Sequence, residues 1–218
     1  MTVNLIVMAM CLSITMYCFF LVEFEMQFLG GDLYKYSAVA SLSQFIGCML
    51  SGFLLARVSD RTSSQKGKVN KLRMSITVIY SFMLLGAVLL LFVIEKDAEY
   101  QRSIYLSFIN VGIGASVVAI NVTAVILIPH NHLVNIILLM TLMSNFVSAL
   151  APLTAYGFDQ PVPIYVMAGC SLIGMVVPCF MSYSNSAELA GNTAEESELG
   201  SPRRDSVPPE VIALSIEQ

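Results

Sequence analysis

Four carboxamides, Gln44, Asn110, Asn121 and Asn145, stand inside long uncharged stretches of the sequence. They are the groups there best suited to hold a polar ligand. A carboxamide both donates and accepts hydrogen bonds, so it binds a solute without dictating the sign of its charge. In apolar surroundings the same groups also join neighbouring helices. Other chemistry finds no residues. No Asp, Glu, Lys or Arg sits at the centre of an apolar stretch, so no charged group is available there for proton relay or ion binding. His130 and His132 are two residues apart with no third ligand nearby; they read as a polar turn after Pro129 rather than a metal site. Cys11, Cys18, Cys48, Cys170 and Cys179 all fall in apolar runs without CxxC spacing, where cysteine acts as a small hydrophobe. No glycine-rich phosphate loop and no Ser/His/Asp set occurs. Neither an enzyme nor a cofactor is expected.

Composition fixes the setting of these amides. Hydrophobic residues make up 56% of the 218-residue chain and charged residues 12%, about half the usual charged share of a soluble domain. Mean hydropathy is +0.76. A chain of this size leaves much of its surface exposed and cannot hide so much apolar surface in water. A soluble enzyme is excluded. The formal charge of −4 is spread as separate acidic and basic loops, which gives no nucleic-acid-binding surface. The chain reads as an integral membrane protein.

The charged residues punctuate six apolar runs, each near the roughly 20 residues that span a bilayer. The predicted helices cover about 4–22, 37–56, 74–94, 104–128, 133–156 and 162–183. This gives an all-α, six-transmembrane-helix bundle over 1–183, followed by a tail, 184–218. The first run has no basic n-region and reads as a retained helix. The 57–73 loop carries Arg57, Arg61, Lys66, Lys68, Lys71 and Arg73, which places it, and with it both termini, in the cytosol. It also suits anionic lipid of the inner leaflet. The loops expected outside, 23–36 and 95–102, are acidic; Glu23 and Glu25 mark the outer end of the first helix. The tail is rich in Ser, Glu and Pro and lacks aromatic residues, the composition of a disordered segment. Its Arg203-Arg204-Asp205-Ser206-Val207-Pro208 suits phosphorylation at Ser206 and a phosphoserine-binding partner. Acidic outer loops and a phosphorylatable tail fit a plasma membrane.

Three stretches resemble the major facilitator superfamily. Ser51-Gly52-Phe53-Leu54-Leu55-Ala56-Arg57-Val58-Ser59-Asp60-Arg61 resembles its Gly-x-x-x-Asp-Arg-x-Gly-Arg gating motif, a basic cytosolic turn, with Ala56, Ser59 and Asp60 departing from the pattern. Tyr17-Cys18-Phe19-Phe20, then Leu29-Gly30-Gly31-Asp32-Leu33-Tyr34, resembles the seventh helix and following loop of the organic cation/anion transporter branch. Thr123-Ala124, Pro129 and Asn135 are similar to the run linking that branch's tenth and eleventh helices, and Ala151-Pro152 to the Pro late in its eleventh helix; Val125 replaces the run's acid and no Arg precedes Asn135. In order and spacing these match helices seven to twelve, the C-terminal half of a twelve-helix carrier.

The resemblance implies one wall of a substrate cavity, since such carriers bind near the midplane between two six-helix halves. It implies as partners a second half or a second copy, membrane lipid and a small organic solute. It places Asn145 where the branch carries an ionic substrate-reading residue, and Phe19 and Phe20 at its aromatic pair, where ring faces attract organic cations. It assigns Gly52, Arg57, Asp60 and Arg61 to the gating turn. The expected activity is transport of a small organic ion or solute. The alternative is a non-transporting remnant bundle that acts as an interaction partner, which the departures from the motifs favour.

Overall fold

Inside a bilayer no water satisfies backbone amides, so an apolar segment closes its hydrogen bonds within a helix. The computed structural model of the chain describes residues 2–28, 32–61, 65–93, 99–128, 130–158 and 161–181. These form α1 (Thr2–Glu25), α2 (Leu33–Arg61), α3 (Gln65–Val93), α4 (Glu99–Leu127), α5 (His130–Ser148), α6 (Ala151–Gly157) and α7 (Val162–Val176), ending in a 3-10 turn, Val177–Phe180. No strand occurs among the described residues. Six segments are long and apolar enough to cross a membrane: Val3–Glu25, Leu33–Arg57, Gly67–Val93, Tyr100–Leu127, His132–Gly157 and Val162–Phe180. The chain is an all-helical, multi-pass bundle. The tail, with Ser206, lies outside the described residues.

Two expectations are corrected. The basic 57–73 stretch is mostly helix, because α2 continues to Arg61 and α3 begins at Gln65. Lys, Arg and Gln are good helix formers, and here they carry each helix beyond the apolar span. The fifth span is two helices. Pro152 has no amide proton and its ring crowds the carbonyl four residues back, so the helix breaks at Ala149–Leu150 and restarts as α6. The start of α2 has a polar cap: Asp32 Oδ1 accepts the Tyr34 amide at 3.0 Å, and Lys35 Nζ lies 3.7 Å from Asp32.

The packing has an internal symmetry. Four helices form a row in the order α2, α4, α1, α5–α6, while α3 and α7 pack behind it, α3 on α4, α7 on α1, and each on the other. Exchanging α1, α2 and α3 with α4, α5–α6 and α7 leaves these pairings unchanged. The sequence follows. Setting Ser43 on Ser144 brings Gln44 to Asn145, Phe45 to Phe146, Ile46 to Val147 and Gly47 to Ser148, and the same offset brings Thr15 to Ser116. These pairings and matched positions fit a three-helix unit used twice, its two copies running in opposite directions across the membrane.

Small residues set the closest approaches. Gly47 lies against the Val111 carbonyl and Gly114 against the Gln44 carbonyl, a reciprocal contact that brings the α2 and α4 backbones together. Cys48 Sγ donates to the Gly114 carbonyl at 3.3 Å. The offset places Ser13 and Ser148, both buried, at the corresponding α1–α5 crossing. Elsewhere Gly112 admits Met83, Gly86 admits Ile109 and Gly174 admits the Tyr80 ring. Gly52 and Gly169, small residues that also suit close helix contact by sequence, meet nothing within 4 Å. Gly114→Leu is expected to destabilise the bundle by about 1–3 kcal/mol through overpacking, while Gly52→Leu leaves it unchanged. Thermal unfolding in detergent distinguishes them.

Candidate functional site

At mid-depth the row is held by a buried polar knot. Tyr80 Oη of α3 donates to the Cys11 carbonyl of α1 at 2.6 Å and lies 2.8 Å from Thr15 Oγ1. Ser116 Oγ of α4 donates to its own Ile113 carbonyl at 2.8 Å and sits 3.1 Å from Thr15 Oγ1. The single Thr15 proton thus has three acceptors: Tyr80, Ser116 and, at 3.0 Å, Cys11. Thr15 and Ser116 are the residues matched by the same offset, and they meet directly. All three side chains are completely buried, and the knot ties α1, α3 and α4 without a charge. Behind it Cys18 of α1 and Cys170 of α7 lie side by side.

The four carboxamides divide into two pairs. Asn110 Nδ2 donates to the Leu106 carbonyl and Asn121 Nδ2 to the Val117 carbonyl, each at 2.9 Å and each within α4. Asn110 is buried and Asn121 half-buried. Gln44 and Asn145 make no side-chain hydrogen bond among the described residues. Gln44 is half-buried, its Cγ beside Gly114. Asn145 is exposed. Each stands at the middle of its span, on the two least buried of the six spans.

Helix geometry places these groups on one side of the row. On α4, Ile109 and Gly112 point to α3, so Asn110, Gly114 and Asn121, spaced four and seven residues apart and hence on one stripe, stand on the opposite side. Gln44 borders that stripe through Gly114. On α1, Cys18 points to α7, which leaves Phe20 on the open side; it is 38% exposed. The internal repeat puts Asn145 at the edge of α5 that corresponds to Gln44 on α2. Gln44, Asn121, Phe20 and Asn145 thus lie away from α3 and α7 and are half-buried or exposed, whereas Asn110, on the Gly114 stripe beside α2, is buried. Phe19 does not join them: it packs against the core and meets Phe20 edge-on at 5.1 Å.

The other predicted groups take different places. Arg57 is exposed, with its guanidinium 4.2 Å above the Phe53 ring one helical turn back. The gating stretch is helical through Arg61 rather than a turn; the side chains of Asp60 and Arg61 lie outside the described residues, as do Leu29-Gly30-Gly31 and Pro129. Thr123 bonds its own Ala119 carbonyl at 2.7 Å. His132 is exposed. Among the described residues no group of His, Cys, Asp or Glu is placed to hold a metal. Toward the C-terminal end of α1, Tyr17 and Thr154 hydroxyls meet at 2.6 Å, Tyr156 packs edge-on between Phe24 and Phe28, and Tyr156 Oη donates to Gln27 Oε1 at 3.1 Å. These contacts fix the short α6 against α1 beyond the Pro152 break.

The knot and the Tyr17–Thr154 pair were not selected from the sequence, since single hydroxyls in apolar runs are common. The repeated Ser-amide-Phe segment was legible there and marks the two unpartnered amides directly. Comparison with family models, curated proteins and solved structures returns no match. A hydrogen bond between membrane helices is worth about 0.6 kcal/mol on average. Tyr80→Phe is expected to cost roughly that per bond lost, about 1 kcal/mol in all, and to couple to Thr15→Val by at least about 0.5 kcal/mol. A double-mutant cycle of unfolding free energies checks this.

Proposed function

We propose that this bundle is one half of a secondary carrier for a small organic solute, with Gln44 and Asn145 at the edges of one cavity wall. The observation that carries this reading is the pair of mid-span carboxamides, Gln44 and Asn145, that have no side-chain hydrogen bond among the described residues. A polar group facing hydrocarbon with nothing to bond costs several kcal/mol. Such groups mark a face meant for water, solute or protein. Support also comes from the inverted three-helix repeat, which is the internal plan of each half of a major facilitator carrier, and from the sequence resemblance to that superfamily's organic-ion branch. Phe20 supplies an aromatic face beside the amides, and Asn121 a further polar edge on α4. No ionisable residue stands at the centre of a span, so the proposed transport is facilitated diffusion. The membrane is the plasma membrane, with both termini and the basic α2–α3 region in the cytosol.

Uptake into vesicles or cells, measured over a panel of organic cations and anions, tests the site. Asn145→Ala is expected to reduce transport of the accepted solute about tenfold. Asn145→Asp is expected to shift preference toward cations, because it fixes a negative charge where an amide was neutral. If Asn145→Ala leaves uptake of every tested ion intact, the site is wrong. If no pairing supports uptake, the non-transporting bundle is the better account.

A further inference from the structure

We propose that the side of the row away from α3 and α7, its open face, is covered by a second copy of this chain, related by a two-fold axis along the membrane normal, with Gln44 of each copy hydrogen-bonded to Asn145 of the other. The proposal rests on the half-carrier reading for the orientation of this face, and it names the other half.

The argument begins with the amides. Of the four carboxamides in the spans, the two on α4 bond their own helix, while Gln44 and Asn145 find no partner among the described residues. Both stand at the midpoint of their spans, so both lie at the same depth whichever way the chain is oriented. Each is donor and acceptor at once, which makes the pair self-complementary: Gln44 can serve Asn145, and the reverse.

Geometry then selects a copy of the same chain over an unrelated partner. α2 and α5 end the row on opposite sides and do not pack on one another within one bundle. Turning a second copy by half a revolution about an axis through the open face sets its α5 against α2 and its α2 against α5. That is an isologous interface, in which each contact occurs twice. Because the internal repeat runs inverted, α2 and α5 cross the membrane in opposite directions, and the two copies share one orientation. The rest of both edges is apolar and exposed: Phe45 and Met49 on α2, Leu142 and Phe146 on α5. Phe45 and Phe146 each follow their amide directly, so ring and carboxamide are presented alike at both edges.

The test uses the full chain in vesicles, with its five native cysteines replaced. One tagged population carries Gln44→Cys and a differently tagged one carries Asn145→Cys. Mild oxidation with copper phenanthroline joins the two thiols into a disulfide, copper and oxygen taking up the two electrons. The expected product carries both tags, and neither variant joins efficiently to itself. Separately, single-molecule photobleaching at graded dilution is expected to show two copies per spot. Asn145→Ala removes both amide bonds and raises the dimer dissociation constant about tenfold. Asn145→Gln stays within about threefold, and Phe82→Ala, on the lipid side of α3, has no effect. A chain that remains single at every density overturns the proposal, as does equal joining in all three thiol pairings, or an Asn145→Ala chain that pairs as tightly as the parent. Neither assay reads uptake, so a paired chain that moves no solute defeats the carrier reading and leaves this one standing.

Discussion

The requirement that every polar group inside a bilayer find a partner governs this structure. Backbone amides meet it by forming helices, which is why the described residues contain so little else. Side chains meet it in two ways. Asn110, Asn121, Ser116, Thr123 and Ser171 turn back onto carbonyls of their own helices, so they add polarity without demanding a neighbour. Thr15 and Tyr80 reach across helices instead, and their shared knot fixes how α1, α3 and α4 cross. Gln44 and Asn145 do neither. Among the described residues these two mid-span amides are left unbonded, and they are the reason an occupant is proposed for that surface.

The inverted repeat explains why the two amides come as a pair. A three-helix unit used twice places any feature of its second helix at both ends of the row, at the same depth and on the same side. The unit has diverged where packing allows: Gly47 and Gly114 at one crossing correspond to Ser148 and Ser13 at the other, so α2 meets α4 through bare backbone while the other crossing carries hydroxyls. It has diverged further in the fifth span, where Pro152 splits one helix into two and the contacts among Tyr17, Thr154, Phe24, Phe28 and Tyr156 hold the detached piece to α1.

Much of the fold was legible because charge and apolar length vary together along a membrane chain. Six runs bounded by Glu, Lys and Arg gave six spans with ends within a few residues, apart from the α2–α3 region. There Arg57 to Arg73 reads as a loop by charge, yet Lys, Arg and Gln propagate a helix into water as readily as they end a span. Pro152 was visible as a residue but its effect was not, since membrane helices often carry proline without breaking. Of the site, all four amides were visible as costly residues. Which of them were satisfied was not, because an asparagine that bonds the carbonyl four residues back looks the same in sequence as one that faces outward. Phe19 and Phe20 are neighbours in sequence, yet helix geometry sends one to the core and one to the open face.

The central claim is that Asn145 faces protein or water rather than lipid, and its local environment can be read directly. A nitroxide attached at Asn145→Cys in vesicles, beside one at Phe82→Cys at similar depth on α3, reports collision with dissolved oxygen, which concentrates in hydrocarbon. The account predicts a clearly lower oxygen collision rate at position 145 than at position 82. Equal rates would place Asn145 in lipid and contradict it.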